Sequence, residues 1–211
     1  MSNLITQYGF VPFGIGAGDE GPTPIEYEVA TAASFDINGG ASNVAIRKGD
    51  PLTLLNTGTV TLCDGSEGAS GGVKLFGICA GIVRYWDAVQ GRMTTTNALP
   101  SDVSWGTNHA KASRVLVWPV DVYKYWTVLT DASMTDYAGA TLLIGTFMDH
   151  VLTGATDNGA ATPLLDVGTT GTSNGQWRLT ALSGSLNNQD YASAYIRCVV
   201  TPNSAEVITA I

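Results

Sequence analysis

Positive charge is scarce in this chain. Ten Lys and Arg stand against eighteen Asp and Glu, a formal net charge of -8. The basic residues are spread from Arg47 to Arg197 without a cluster. A nucleic-acid surface needs a basic patch or stripe, so no nucleic-acid partner is expected. Charge of either sign is sparse, at 13% of residues, below what a free-standing soluble surface usually carries. Such a chain is expected to cover much of its surface with neighbours. Cysteine is limited to Cys63, Cys79 and Cys198, an odd number at wide spacing. That excludes a dense disulfide framework and reads as three small buried apolar side chains. No apolar run approaches the roughly 18 residues of a membrane-spanning helix, so no membrane partner is expected. The opening Met-Ser-Asn-Leu-Ile-Thr-Gln has neither the basic nor the apolar region of a signal peptide. Synthesis in a cytosol-like compartment is the expectation.

What is present is strand grammar. Residues 73–86 form the central run, with Leu75, Phe76, Ile78, Cys79, Ile82, Val83, Tyr85 and Trp86 interrupted by Gly77 and Gly81. β-Branched and aromatic types suit a pleated, half-buried surface. Glycine inside a strand marks a bulge, a bend or a close backbone approach. The run predicts one strand bending round a small β-barrel or sandwich, with Gly81 at the bend. Shorter strands are expected at 25–29, 44–46, 52–55, 59–63, 113–120 and 122–129, separated by turn residues. A short helical turn followed by a strand at 141–147 is expected next. Residues 154–175 read as loop with one strand at 163–167, and strands at 176–182, 192–200 and 206–211 close the chain. The fold class is therefore all-β, a small β-barrel or β-tulip body with a second β-rich half. The expected organisation is an extended N-terminal arm at 1–24, a body at 25–120 and a second half at 121–211.

Residues 1–24 mix large apolar side chains with glycines, then Pro22 and Pro24. Disordered tails are poor in aromatics, whereas this stretch holds Tyr8, Phe10 and Phe13. An extended arm that docks on its own body or on a neighbour explains them. Tyr8, Phe10, Phe13 and Ile15 are the candidate assembly contacts. Removal of residues 2–20 is expected to leave the body folded and to weaken its attachment.

Chemical motifs are weak. Gly68-Ala-Ser70-Gly-Gly fits the spacing of a hydrolase nucleophile elbow, but that elbow needs a strand before it and a helix behind it. His109 and His150 lie downstream, with no pattern that makes either a base. Gly14-Ile-Gly-Ala-Gly has the look of a dinucleotide loop, yet Pro22 and Pro24 rule against the helix that must follow. Two histidines and three scattered cysteines give no zinc spacing. Asp64 and Asp157 sit in turn-like contexts, where Asp and Asn are common. Lys48-Gly-Asp precedes Pro51 and reads as a turn. Trp86, Trp105, Trp118, Trp126 and Trp177 could form a sugar-binding platform, but all except Trp105 fall in expected strands and fit packing better. No catalytic residue, no metal ligand and no cofactor is expected.

Arg47-Lys-Gly-Asp-Pro-Leu-Thr-Leu, then Leu75-Phe-Gly-Ile-Cys-Ala-Gly, then Arg114-Val-Leu-Val-Trp-Pro occur in this order. The series resembles head decoration and auxiliary capsid proteins of tailed bacteriophages. Tyr125-Trp-Thr-Val-Leu-Thr-Asp and Ala138-Gly139 resemble the continuation in larger virion structural proteins. The resemblance covers about residues 44–145 and rests on strand-and-turn grammar. It implies a non-enzymatic β-barrel or β-tulip subunit on the outer face of the major capsid shell. The implied partners are the major capsid protein and neighbouring copies, in a homo-oligomer or lattice. The implied location is the exterior of the virion head, after synthesis in the host cytoplasm. Two alternatives remain open: another phage part, such as a head-fibre base or tail protein, and a carbohydrate-binding β-sandwich.

Overall fold

A computed structural model describes residues 9–13, 23–30, 46–63, 74–87, 92–95, 98–99, 113–120, 124–156, 160–170, 175–183 and 190–203. The first half contains β1 (Val11–Pro12), β2 (Ile25–Glu28), β3 (Ile46–Arg47), β4 (Pro51–Leu54), β5 (Val60–Leu62), β6 (Gly77–Asp87), β7 (Arg92–Thr94), β8 (Ala98–Leu99) and β9 (Arg114–Pro119). The second contains β10 (Trp126–Leu129), α1 (Tyr137–Leu142), β11 (Phe147–Met148), β12 (His150–Thr156), β13 (Ala160–Leu165), β14 (Trp177–Leu182) and β15 (Arg197–Pro202). The described chain is all-β with α1 as its lone α-helix.

One sheet has the order β2-β9-β6-β4-β5, with β7 paired to the far end of β6. The other has the order β1-β10-β15-β14-β11. β12 and β13 form a hairpin, and β3 pairs with β8. All these strand pairings are antiparallel. At the edges of the first sheet, a single parallel bridge joins Val29 to Val60, and the Ala30 N–H donates to the Val60 carbonyl at 2.8 Å. That bridge brings the two edges together; the described residues show antiparallel sheets but no continuous barrel wall.

The period of two along a strand explains the inner core. In β9, Val115 and Val117 point inward, while Leu116 and Trp118 lie on the other face. Val115 and Val117 join Val29, Ile46, Leu52, Val60, Phe76 and Cys79 in the smaller of two apolar clusters. The larger cluster gathers Trp126, Val128, Met148, Leu165, Trp177, Leu179 and Cys198 from the second half. It also takes Cys63, Leu75, Ile78 and Val120 from the first. Leu75 and Ile78 face the larger cluster, and Phe76 and Cys79 face the smaller. The start of β6 is thus a wall common to both cores.

Several expected boundaries move. The central strand carries its bulge between Cys79 and Gly81, as its glycines suggest. Gly81 itself faces open space, with no atom within 4 Å of a Cβ placed there. The tight position is Gly77, where a Cβ would lie 2.3 Å from Val117 Cγ1 and 2.8 Å from the Trp118 carbonyl oxygen. The expected strand at 141–147 begins as helix, because Asp136 caps α1 by accepting the Gly139 N–H at 2.7 Å. Only Phe147 and Met148 are extended there. β12 runs through residues expected partly as loop. β15 starts at Arg197, after Tyr195 with φ of 65° turns the chain.

Candidate functional site

The N-terminal segment is built into the molecule through one side chain. Phe10 is completely buried in the larger cluster. Its ring stacks on Trp177 at 4.2 Å between centroids and meets His150 edge-on at 5.9 Å. The backbone fixes this position. The Phe10 N–H donates to the Gly49 carbonyl at 2.9 Å. Val11 and Pro12 then pair with Thr127 and Trp126, and the Phe13 N–H reaches the Tyr125 carbonyl at 2.9 Å. Gly9 permits the approach: its φ is +60°, and a Cβ there would stand 2.4 Å from the Gly49 oxygen.

Of the four candidate assembly contacts, Phe10 is therefore occupied by the chain's own core. Deleting residues 2–20 would strip that core of an aromatic ring, so the body is not expected to be indifferent to the deletion. Phe13 is 50% exposed. Tyr8 and Ile15 lie outside the described residues, as do Ser70, His109, Trp105, the glycine loop at 14–18, Asp64, Asp157 and the stretch 206–211.

Beneath Phe10 lies a set of hydrogen bonds among His150, Trp177, Cys63 and Gln176. His150 Nε2 lies 2.7 Å from the Cys63 carbonyl oxygen. The Trp177 indole N–H donates to His150 Nδ1 at 3.3 Å. An indole N–H can only donate, so Nδ1 accepts and the ring proton sits on Nε2. His150 is thus a neutral core residue. The Gln176 side-chain amide donates to Cys63 Sγ at 3.4 Å, and the Gln176 backbone N–H donates to Asp149 Oδ1 at 3.1 Å.

The structure also places the cysteines, the 47–50 turn and two of the tryptophans. All three cysteines are buried free thiols. Burial raises the Cys79 thiol far above its ordinary value, with the Asp50 charge adding to it. Burial alone pushes Cys198 up to about 12. Lys48-Gly-Asp forms a turn in which Gly49 has φ of 97° and Asp50 Oδ2 accepts the Arg47 N–H at 2.6 Å. The Lys48 ammonium lies 5.5 Å from the Trp118 ring centroid. Trp126 and Trp177 are fully buried and present no face to a sugar. Among the described residues no three His, Cys, Asp or Glu side chains are grouped to hold a metal ion.

Apolar surface is left exposed on and just after α1. Leu142 is 82% exposed, Tyr137 62% and Ile144 42%. Ala140 is the helix residue turned into the core. Tyr137 also rests against Tyr191, with centroids 5.5 Å apart, and burial followed by the Tyr137 neighbour raises the Tyr191 phenol above its ordinary value. None of these residues was singled out from sequence. The available signal was Asp136, whose capping role makes the following apolar residues helical and turns Leu142 outward.

A scan against family models matches none, and searches of curated proteins and of solved structures return no match.

Proposed function

We propose that this chain is a non-enzymatic virion structural protein, a capsid decoration subunit that binds the outer face of the major shell and stabilises the head. The observation that carries this reading is the exposure of three large apolar side chains on and just after α1, Tyr137, Leu142 and Ile144, on a chain with only 13% charged residues. The ordered likeness of residues 44–145 to phage head proteins supplies the kind of partner.

The physical mechanism is cumulative burial. A fully buried apolar side chain contributes roughly 1.5–3 kcal/mol. A few such contacts per subunit are weak alone, yet repeated over a lattice they hold collectively. Phe13, half-exposed beside Tyr125, offers a second apolar contact.

The test is quantitative mass spectrometry of intact purified particles. A decoration subunit occurs at about one copy per shell subunit, or about one per three, as lattice repetition requires. A handful of copies per particle would indicate a fibre base or tail component instead. Absence from particles, or sedimentation apart from them, would overturn the reading altogether.

A further inference from the structure

We propose that His150 is an acid-sensitive latch that holds the N-terminal segment and the first sheet against the second. This goes beyond the assembly role and does not depend on it. His150 opens β12 and is 2% exposed. Its two ring nitrogens join parts of the chain far apart in sequence. Nε2 donates to the carbonyl of Cys63, 87 positions away, and Nδ1 accepts from Trp177, 27 positions away. Phe10 packs on both the imidazole and the indole.

A second proton on the ring has nowhere to go but Nδ1. The imidazolium N–H would then confront the Trp177 N–H, donor against donor. One ring must turn, and both rings are packed on Phe10. The end of β5 presents the Cys63 carbonyl and a thiol engaged by Gln176. β14 presents the Trp177 indole, and Leu165 of β13 lies opposite in register. Asp149 precedes the ring and favours a charged state, but its Oδ1 already receives the Gln176 N–H. Asp50, beside Gly49, is buried with its Oδ2 on the Arg47 N–H.

The sign follows from proton linkage. An unfolded histidine takes up a proton near pH ~6.5, whereas in the folded chain the Trp177 N–H already occupies the Nδ1 lone pair that would receive it. Stability is therefore fully present above pH ~6.5 and falls as the pH drops below it. The folding equilibrium constant is lost by up to about tenfold per pH unit for one proton.

The experiment measures chemical denaturation of the full chain between pH 7.5 and 5 for the native protein, His150→Gln and His109→Gln. A glutamine amide can donate to Cys63 and accept from Trp177 without titrating. The expected result is an acid slope in the native protein and in His109→Gln that is reduced by about one proton in His150→Gln. An unchanged slope in His150→Gln overturns the latch. Nitrogen-15 spectra of the native chain decide independently, including where the variant does not fold. The expected spectrum shows the Nε2–H tautomer held neutral in the folded state while acid populates the unfolded one. A ring that becomes doubly protonated in the folded chain, with the Trp177 indole signal unmoved, overturns the proposal.

Discussion

Phe10 and Trp177 lie nearly parallel, their planes 16° apart and their centroids 4.2 Å apart. The contact ties a two-residue strand near one end of the chain to a central strand of the second sheet. Replacing Phe10 by Ala removes a completely buried ring, and losses of this kind cost about 3–5 kcal/mol. Urea unfolding of Phe10→Ala should show a drop of that size. A loss below about 1 kcal/mol would mean that the cavity closes easily and that the segment adds little to the core.

The two glycines of the central strand should behave oppositely. At Gly77 a Cβ would run into Val117 and the Trp118 carbonyl, so Gly77→Ala should destabilise by about 1–3 kcal/mol, the usual cost of overpacking. At Gly81 a methyl group meets nothing, and Gly81→Ala should stabilise by about 0.4–1 kcal/mol through the unfolded chain. Paired thermal melts check both. Equal behaviour of the two variants would show that the bulge, rather than the packing, sets the tolerance of this strand.

The smaller core could be read from sequence because its inward residues alternate, as Val115 and Val117 do. The larger core could not. Its key partners, Phe10, Cys63, His150 and Trp177, meet across long stretches of chain with no shared periodicity. His150 carries no local sign that its ring is buried between an indole and a carbonyl. Helix α1 was legible only as a short turn: Thr141-Leu-Leu-Ile-Gly is apolar enough to suit a strand, and the helix opened by the capping bond from Asp136 runs on through Leu142. The exposure of Leu142 and Ile144 follows from that extent and was not legible from the apolar run alone.

The cysteines should be inert in the folded protein. Only the thiolate reacts, and burial disfavours it at Cys79 and at Cys198, the latter pushed up to about 12. Iodoacetamide at pH 8 should leave both unmodified in the native chain and label them after denaturation. Mass spectrometry of digested protein reads this directly. Rapid native labelling at either position would mean that this part of the core opens readily.

Asp131 should lower stability as pH rises through the acidic range. Burial raises its carboxyl above the ordinary value, and the neighbouring Asp166 charge adds to the shift, although the Val167 N–H bonded to Oδ1 at 3.0 Å pulls the other way. Between the ordinary and the raised values the folded state binds more protons than the unfolded one, so stability is greater on the acid side and declines above it. Asp131→Asn keeps an acceptor for Val167 and removes the charge. It should be more stable than the native chain at pH 7, with a smaller difference between pH 4 and pH 7 in urea midpoint. A variant whose pH dependence matches the native protein would assign that behaviour to other carboxylates.

The wall that β6 makes between the two clusters has a consequence for the order of events during synthesis. Leu75 and Ile78 are emplaced early, but the side chains they must meet, Trp177 and Cys198 among them, belong to the same cluster and leave the ribosome last. Until then that face of the wall is only partly covered, by earlier members of the cluster such as Phe10, Cys63 and Val120. Contacts so distant in sequence form slowly, and uncovered apolar surface in the interval invites aggregation. The nascent first half therefore has reason to lean on a chaperone until β14 and β15 arrive.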